Sequence, residues 1–484
     1  MDATSAPAPA PERLLHDAVV VVPGIMGSTL RDTETDTPLW GVGSILGYSA
    51  RLHADRLRAL RVTEAERGGA LRVEATGLLG VADWLPGLGG AQPYGELLSR
   101  LRREALDRAA VTAFPYDWRL SVEHNGALLA AAVREHLAAW RAHGAHRRHL
   151  SEHPEAGPAK AVIVAHSMGG LLAREVVRDE EAAAEVRTVM TVGTPFGGSV
   201  KAAVMLNSGR GAPLGLPPAV LREVTPTMPG LYDLLPGYRC REEDGDMRAP
   251  GVEDIVALGG RRELAEASAA WRSSRSGTLL PDHVMVVGIG QRTWQSYRMQ
   301  GTAAVAQRYM LRRDGERPLL DGDGRPRCED RTGDGTVYQF AAHLPGSGAR
   351  PVHVYQEHSA LVRSASVVDL ARGLLRGLRH TDGLGAMLGG EGFGLHVPEW
   401  VAEEQPFTVE VSGLDHGAAD PECVVREVGG LERVGHPGLR PVRGTRSSWS
   451  ALHRTEGPGL YEVEVRGGAE PLRRLVAVLA AGPG

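Results

Sequence analysis

The sequence predicts an α/β fold on a mostly parallel central sheet, with an inserted cap and a small antiparallel β-sandwich-like domain at the C-terminus. Three observations carry that reading. The β-branched runs Ala18–Val22 and Val162-Ile163-Val164 have the composition of strands buried on both faces. Such runs alternate with helical patterns, and strand–helix–strand crossovers imply parallel pairing. Late in the chain the period changes to two: Phe407, Val409 and Val411 alternate with Thr408 and Glu410, and Tyr461, Val463 and Val465 with Glu462, Glu464 and Arg466. That alternation belongs to half-buried antiparallel strands.

The 484 residues exceed one ordinary core. We read 1–17 as a disordered tail, 18–382 as the α/β domain, 383–395 as a glycine-rich linker and 396–484 as the small β domain. Ala18–Val22 is a strand closed by Pro23-Gly24, whereas the pattern of residues 25–95 does not order its loops and short apolar pieces. Leu97–Ala110 reads as a helix and Val111–Ala113 as a brief strand. Ala127–Trp140 is a second helix, with Leu129, Val133, Leu137 and Trp140 on one face. Strands follow at 161–165 and Thr188–Val192. From about 199 to 280 the strand signal fades into Pro, Gly, Leu and Ala. An insertion at the carboxyl ends of sheet strands lies over the ligand cleft, so this segment is expected to be a cap. The sheet resumes at His283–Gly288 and Val352–Tyr355, and a helix runs from Ala360 to Leu378.

Composition excludes several functions. The formal charge of −5, from 54 Lys and Arg against 59 Asp and Glu, forms no basic stripe, so no nucleic-acid partner is expected. Cys240, Cys328 and Cys423 are odd in number and far apart, which fits a reducing compartment rather than a disulfide framework. Met1–Pro11 lacks the basic and apolar regions of a signal peptide, so a cytoplasmic location is expected. No apolar run approaches the roughly 20 residues of a membrane span, which leaves any membrane contact peripheral. His136, His143, His146, His149 and His153 read as a solvated basic surface without acidic or thiol companions. Asp321-Gly322-Asp323-Gly324 resembles a calcium loop, but Arg325 occupies the next ligand position, so a solvated turn is expected. Neither a metal nor a cofactor is expected.

The chemistry centres on Ala165-His166-Ser167-Met168-Gly169-Gly170. A buried strand turning sharply into a helix through small residues exposes Ser167 on the corner, the mechanics of a nucleophile elbow with Ala165 as its first small residue. A serine hydroxyl needs a base, and the base needs a carboxylate. Asp334 lies between glycines in Gly333-Asp334-Gly335, and His358 follows the strand Val352–Tyr355. They stand in the order Ser, Asp, His at strand ends. Their rivals are His353, His166, Asp321, Asp323 and Asp330. The N–H of Met168 can stabilise an oxyanion, and the glycine-bearing loop Pro23–Ser28 can supply a second donor. Phe114-Pro115-Tyr116-Asp117-Trp118-Arg119 reads as a packed junction with an Asp117–Arg119 contact.

Taken in order, Val21–Ser28, Pro115–Arg119, Ala165–Gly170, Gly193-Thr194-Pro195-Phe196-Gly197-Gly198 and Gly333–Val337 followed by His358 resemble the lecithin:cholesterol acyltransferase family, which includes lysosomal phospholipase A2 and phospholipid:diacylglycerol acyltransferase. The resemblance covers residues 18 to about 378. It implies an α/β-hydrolase with cap and lid, Ser167 as nucleophile, Asp334 as orienter, His358 as base, and the N–H groups of Ile25 and Met168 as oxyanion hole. It implies a serine acyl hydrolase or O-acyltransferase working on lipid esters, phospholipid or acylglycerol, through an acyl-serine. Met26, Phe196, Leu216, Leu231 and Leu234 are the candidates to line the pocket or lid. The secreted relatives' signal peptide and disulfide-closed lid loop are missing. The competing expectations are a soluble small-ester esterase, and a binding or effector module that retains a hydrolase shell and meets a protein partner through the C-terminal β domain.

Overall fold

The computed structural model describes residues 16–41, 54–79, 94–212, 216–315, 317–377, 387–388, 392–416, 420–428, 433–468 and 470–480. Its centre is a parallel sheet of β1 (Ala18–Val22), β2 (Val111–Ala113), β3 (Ala161–His166), β4 (Val186–Val192), β5 (Val284–Ile289) and β6 (Val352–Tyr355), joined at one edge by the two-residue β7 (Met387–Leu388). The spatial order is β2-β1-β3-β4-β5-β6-β7. Val20 of β1 pairs with Ile163 of β3, and Val286 of β5 with Val352 of β6.

The β-branched composition is explained by what covers the sheet. Val20, Val22, Ile163, Ala165, Val189 and Val287 point into one apolar cluster, while Val19, Val21, Val162, Val164, Met190 and Val286 point into another. Both faces are therefore dry, and each fully buried valine contributes about 1.5–3 kcal/mol. The helices that matter are α1 (Gly95–Glu104), α2 (Val122–Ala142), α3 (Met168–Val176), α4 (Val200–Ser208), α5 (Arg262–Ser274) and α6 (Ala365–Leu375). Leu129 and Val133 of α2 with Leu171 and Leu172 of α3 cover the first face, and Leu97 and Leu101 of α1 with Val367, Leu370 and Leu374 of α6 cover the second. The chain leaves β1 for β2 on one side and returns to β3 on the other. This reversal opens a crevice at the carboxyl ends of β1 and β3, where open α/β sheets bind ligands. The architecture is that of an α/β-hydrolase with added C-terminal sheets, as the sequence predicts.

Several expected boundaries move. The helix expected over Leu97–Ala110 ends at Glu104, and Asp107 caps a separate 3-10 turn at Arg108–Ala110. Helix α2 starts five residues earlier than the apolar stripe indicates, because the Ser121 hydroxyl accepts from His124 N–H and the Asp233 carboxylate from Val122 N–H. The expected tail loses two members: His16 and Asp17 are buried, and Asp17 accepts from Lys160 N–H and the Arg187 guanidinium. Residues 1–15 lie outside the described residues. So does most of the expected linker, although Met387–Leu388 pairs in the main sheet and Gly394–His396 already belongs to a C-terminal sheet.

Residues 28–78, left unordered by the sequence pattern, contain a three-stranded antiparallel sheet of Pro38–Trp40, Ser28–Asp32 and Val73–Leu78. The segment expected to be a cap, about 199–280, holds α4, α5 and shorter helices, together with the hairpin Arg241–Glu243 and Asp246–Arg248. That hairpin joins Ser296–Gln300 and Ala303–Gln307, so the loop after β5 builds onto this segment. Glu175 of α3 accepts from Trp271 Nε1 at 2.9 Å and from Arg275, which pins α5 to the sheet-covering layer. Leu216, Leu231 and Leu234 are 3, 2 and 6 % exposed and pack within the main core. An apolar composition reveals that these side chains avoid water without revealing which surface they meet.

The C-terminal strands form two facing sheets around Leu395, Phe407, Val409, Trp449, Val463 and Val476. The pairing is antiparallel except for Trp400–Ala402, which runs parallel to Leu472–Leu479.

Candidate active site

Strand β3 ends at His166 and α3 begins at Met168, which leaves Ser167 alone on the corner. Its φ of 52° is left-handed, a conformation that residues with a Cβ seldom adopt. Ser167 N–H donates to Val192 O at 2.9 Å, which ties the corner to the end of β4.

His358 and Asp334 reach this corner from the loops beyond β6 and β5. His358 Nε2 lies 2.9 Å from Ser167 Oγ, and His358 Nδ1 lies 2.7 Å from Asp334 Oδ2. An ionised carboxylate only accepts, so Nδ1 carries the proton and Nε2 is free to receive one from the serine. Asp334 is 1 % exposed, and its other oxygen accepts from the N–H groups of Thr336 and Val337 at 2.9 and 2.7 Å. His358 N–H donates to Asp334 O at 2.9 Å, locking the two loops together. Burial pulls the His358 pKa down, but the charge and hydrogen bond of Asp334 outweigh it and Glu357 adds to them. Against the opposing charge of Lys201, the imidazole is held above its ordinary value.

A second chain of hydrogen bonds escapes the sequence reading. His166 Nε2 lies 3.0 Å from His358 O, which can only accept, so Nε2 carries the proton and Nδ1 accepts from the Tyr94 hydroxyl at 2.9 Å. The Tyr94 oxygen in turn accepts from Gly24 N–H at 2.9 Å. Burial, with the neighbouring His358, pushes the His166 pKa down to about 3, so this ring is neutral and connects the loop after β1 with the His358 loop. Replacing Tyr94 by Phe would leave Gly24 N–H and His166 Nδ1 unpaired in a dry site. We expect a loss of about 1–3 kcal/mol per orphaned group, read from the shift in urea midpoint.

The loop Pro23–Ser28 is fixed from several sides. Tyr116 Oη donates to Pro23 O at 3.0 Å, Tyr116 N–H to Ser28 Oγ at 3.0 Å, and Trp118 Nε1 to Ser28 O at 3.3 Å. The packed junction at 114–119 therefore positions this loop, and Arg119 bonds Asp117 and Glu66 beneath it. A Cβ at Gly24 would stand 2.7 Å from Ser167 Cβ, so only glycine lets the backbone pass so close to the corner. Neither Ile25 N–H nor Met168 N–H meets an acceptor among the described residues. Gly193, with φ of 60°, lies against the His358–Asp334 pair, where a Cβ would stand 3.1 Å from Asp334 Oδ2.

The structure thus brings Ser167, Asp334 and His358 into one hydrogen-bonded line, with Met168 and the loop bearing Ile25 beside it. Met26 is half-buried, and its carbonyl accepts from Trp40 Nε1 at 2.9 Å. The Phe196 ring packs edge-on to His283 and under Arg174, and Leu216, Leu231 and Leu234 are interior. Of the rivals, the His353 ring lies tilted against His343 with centroids 6.2 Å apart, and Asp321 accepts from the N–H groups of Asp323 and Arg325 in an exposed turn. Asp330 accepts from Gln295 Nε2. The expected solvated histidine surface is corrected at His146, which is 1 % exposed and packs against Trp140 and His16. Among the described residues, no group of three or more His, Cys, Asp or Glu is arranged to hold a metal, and no helix is long and apolar enough to cross a membrane.

The chain is similar to a solved structure described as the Tle4–Tli4 complex, at 15 % identity over 76 % of this chain and 99 % of that one, with a TM-score of 0.48. It is also similar to the mature form of the lipase BlEst2 from Bacillus licheniformis, at 13 % identity over 77 % of this chain and 96 % of that one, with a TM-score of 0.33. No curated protein matches it. The family model for lecithin:cholesterol acyltransferase matches residues 58–249, a stretch that contains Ser167 and the 114–119 junction but stops short of Asp334 and His358, and over that stretch the chain is similar to this family, as its motifs predict.

Proposed function

We propose that the protein is a serine acyl hydrolase or O-acyltransferase that acts on lipid esters, phospholipid or acylglycerol, with Ser167, His358 and Asp334 as its catalytic triad. The observation that carries this reading is the 2.9 and 2.7 Å line from Ser167 Oγ through His358 to Asp334. Family similarity over 58–249 supports acyl-ester chemistry at the coarse level.

In the proposed reaction, Ser167 Oγ attacks the ester carbonyl carbon as its proton passes to His358 Nε2. The resulting oxyanion takes hydrogen bonds from Met168 N–H and Ile25 N–H. Collapse of the tetrahedral intermediate breaks the bond to the alcohol oxygen, which leaves with the proton from His358. The acyl group stays on Ser167 until water or an alcohol, deprotonated by His358, releases it as acid or new ester. Asp334 holds the tautomer and faces the imidazolium during both steps.

The burial of Leu216, Leu231 and Leu234 favours a second reading, a soluble small-ester esterase, because these leucines are not available to enter a lipid surface. A comparison of turnover on micellar phospholipid and on a short ester decides between them. Cys240, Cys328 and Cys423 are unpaired, which supports a reducing compartment such as the cytoplasm.

The primary test is incubation with a fluorophosphonate, followed by mass spectrometry. A label on the peptide carrying Ser167 is expected, and a label on another residue alone overturns the assignment. The same base should set the acid limb of kcat/KM: activity falls as His358 gains a proton, with a midpoint above the ordinary imidazole value of about 6.5. A midpoint in the range of an ordinary carboxylate would remove His358 as base.

A further inference from the structure

The loops carrying Asp334 and His358 are gripped by the C-terminal sheets. On the strand Leu472–Leu479, Arg474 donates from Nη1 to Glu357 Oε1 at 3.1 Å, and both side chains are mostly buried, at 18 and 15 % exposure. Glu357 precedes His358 in the chain, and its other oxygen accepts from Ser359 N–H at 3.0 Å and Ser359 Oγ at 2.6 Å. The turn bearing the base is therefore closed on itself and anchored to a strand more than 100 residues later. The same guanidinium lies against Gly335, next to Asp334, where a Cβ would stand 2.9 Å from Nη2.

Other contacts converge on the same two loops. Gln356 Nε2 donates to Pro471 O at 3.3 Å. Glu470 accepts from the N–H groups of Ala365 and Ser366 at 3.2 and 2.9 Å, capping α6 just after the histidine turn. Gln291 is fully buried and exchanges backbone hydrogen bonds with Gly333, while its side chain donates to Phe393 O and accepts from Leu395 N–H.

We infer that the C-terminal β domain is part of the catalytic centre, and that Arg474, acting through Glu357 and Gly335, is a positioning residue that holds the base and its carboxylate in line with Ser167. This rests on the triad reading above. Its physical content is that a displacement of about 1 Å at a reacting group costs on the order of 100-fold in rate, and the hydrogen bonds within Gln356–Ser359 shape the turn while Arg474 ties it to the C-terminal sheet. The charged and titratable groups facing His358 are Asp334, Glu357 and Lys201, with the neutral His166 ring 4.8 Å away.

The test uses the full chain with a short soluble ester and with micellar phospholipid. Arg474→Ala is expected to lower kcat about 10- to 100-fold on both substrates, with KM changed less than about twofold, and to slow fluorophosphonate labelling of Ser167 in parallel. Arg474→Lys should restore most of the loss. Glu357→Gln removes a negative charge beside the base, so the acid limb of kcat/KM should move to lower pH. Circular dichroism and melting temperature report whether each variant is folded; if Arg474→Ala is not, the Glu357→Gln profile decides. Unchanged kcat in folded Arg474→Ala, an unmoved limb in Glu357→Gln, or a loss confined to KM on micelles overturns the inference. Any of these with Ser167 still labelled leaves the triad reading standing, whereas an unlabelled but active protein removes that reading instead.

Discussion

Ser167→Ala should fold normally and lose on the order of 10⁶-fold in kcat, because a serine acting as part of a unit contributes the whole of the covalent pathway. The substitution removes a single oxygen at a corner already held by its own backbone bond to Val192, so the melting temperature should change little. Asp334→Asn should cost on the order of 10⁴-fold. An amide can present its NH2 to His358 Nδ1 and stabilise the wrong tautomer, with Nε2 protonated and unable to accept from the serine. The two Oδ1 bonds from Thr336 and Val337 can persist in the asparagine variant, so the loss should appear in kcat rather than in folding. Near-native ester hydrolysis by Ser167→Ala would sink the triad. An active Asp334→Asn enzyme would redirect attention to another carboxylate.

Arg119→Met should give the largest loss of stability, about 3–5 kcal/mol, because it removes a buried cation from between Asp117 and Glu66 and leaves Glu66 with Arg72 as its charged partner. The guanidinium is 1 % exposed and donates to Asp117 Oδ2 at 2.6 Å and Glu66 Oε1 at 2.8 Å. Burial raises the Glu66 pKa, but the N–H of Thr63 and the charge of Arg119 outweigh it and hold the carboxyl below its usual value. Removing Arg119 shifts that balance toward the neutral carboxyl. The loss is a large fraction of the 5–15 kcal/mol typical of a folded protein, and urea denaturation measures it directly. Arg119→Met combined with Glu66→Gln should be less destabilising than Arg119→Met alone. If the double variant is worse, the network acts through packing rather than through uncompensated charge.

What could be read from the sequence follows the range of the forces involved. Strands β1 and β3 are legible because both of their faces are dry, which demands an uninterrupted β-branched run. The corner at Ser167 is legible because a tight strand-to-helix turn demands small neighbours. Asp334 and His358 could be singled out because each stands beside a turn at a strand end. The surface that Leu216, Leu231 and Leu234 meet was not legible because burial against protein and burial against lipid select the same side chains. Tyr94 and His166 carried no local pattern, and their pairing exists only once β1, β3 and the loop after β6 have converged. The grip of Arg474 on Glu357 joins residues 117 apart, and nothing in either neighbourhood announces the other. The three-stranded sheet at 28–78 was hidden by strands of three to six residues with shifts in register.

The left-handed backbone of Ser167 has an evolutionary edge. Such a conformation costs roughly 1–3 kcal/mol in a residue with a side chain. Glycine escapes most of this cost even after the roughly 0.5–1 kcal/mol of extra chain entropy it loses on folding. Selection for heat tolerance alone would therefore drift toward glycine at position 167 and produce a sturdier, inert molecule. A laboratory campaign that ranks variants by melting temperature would be drawn to the same dead end, so durability and turnover compete at this one backbone corner.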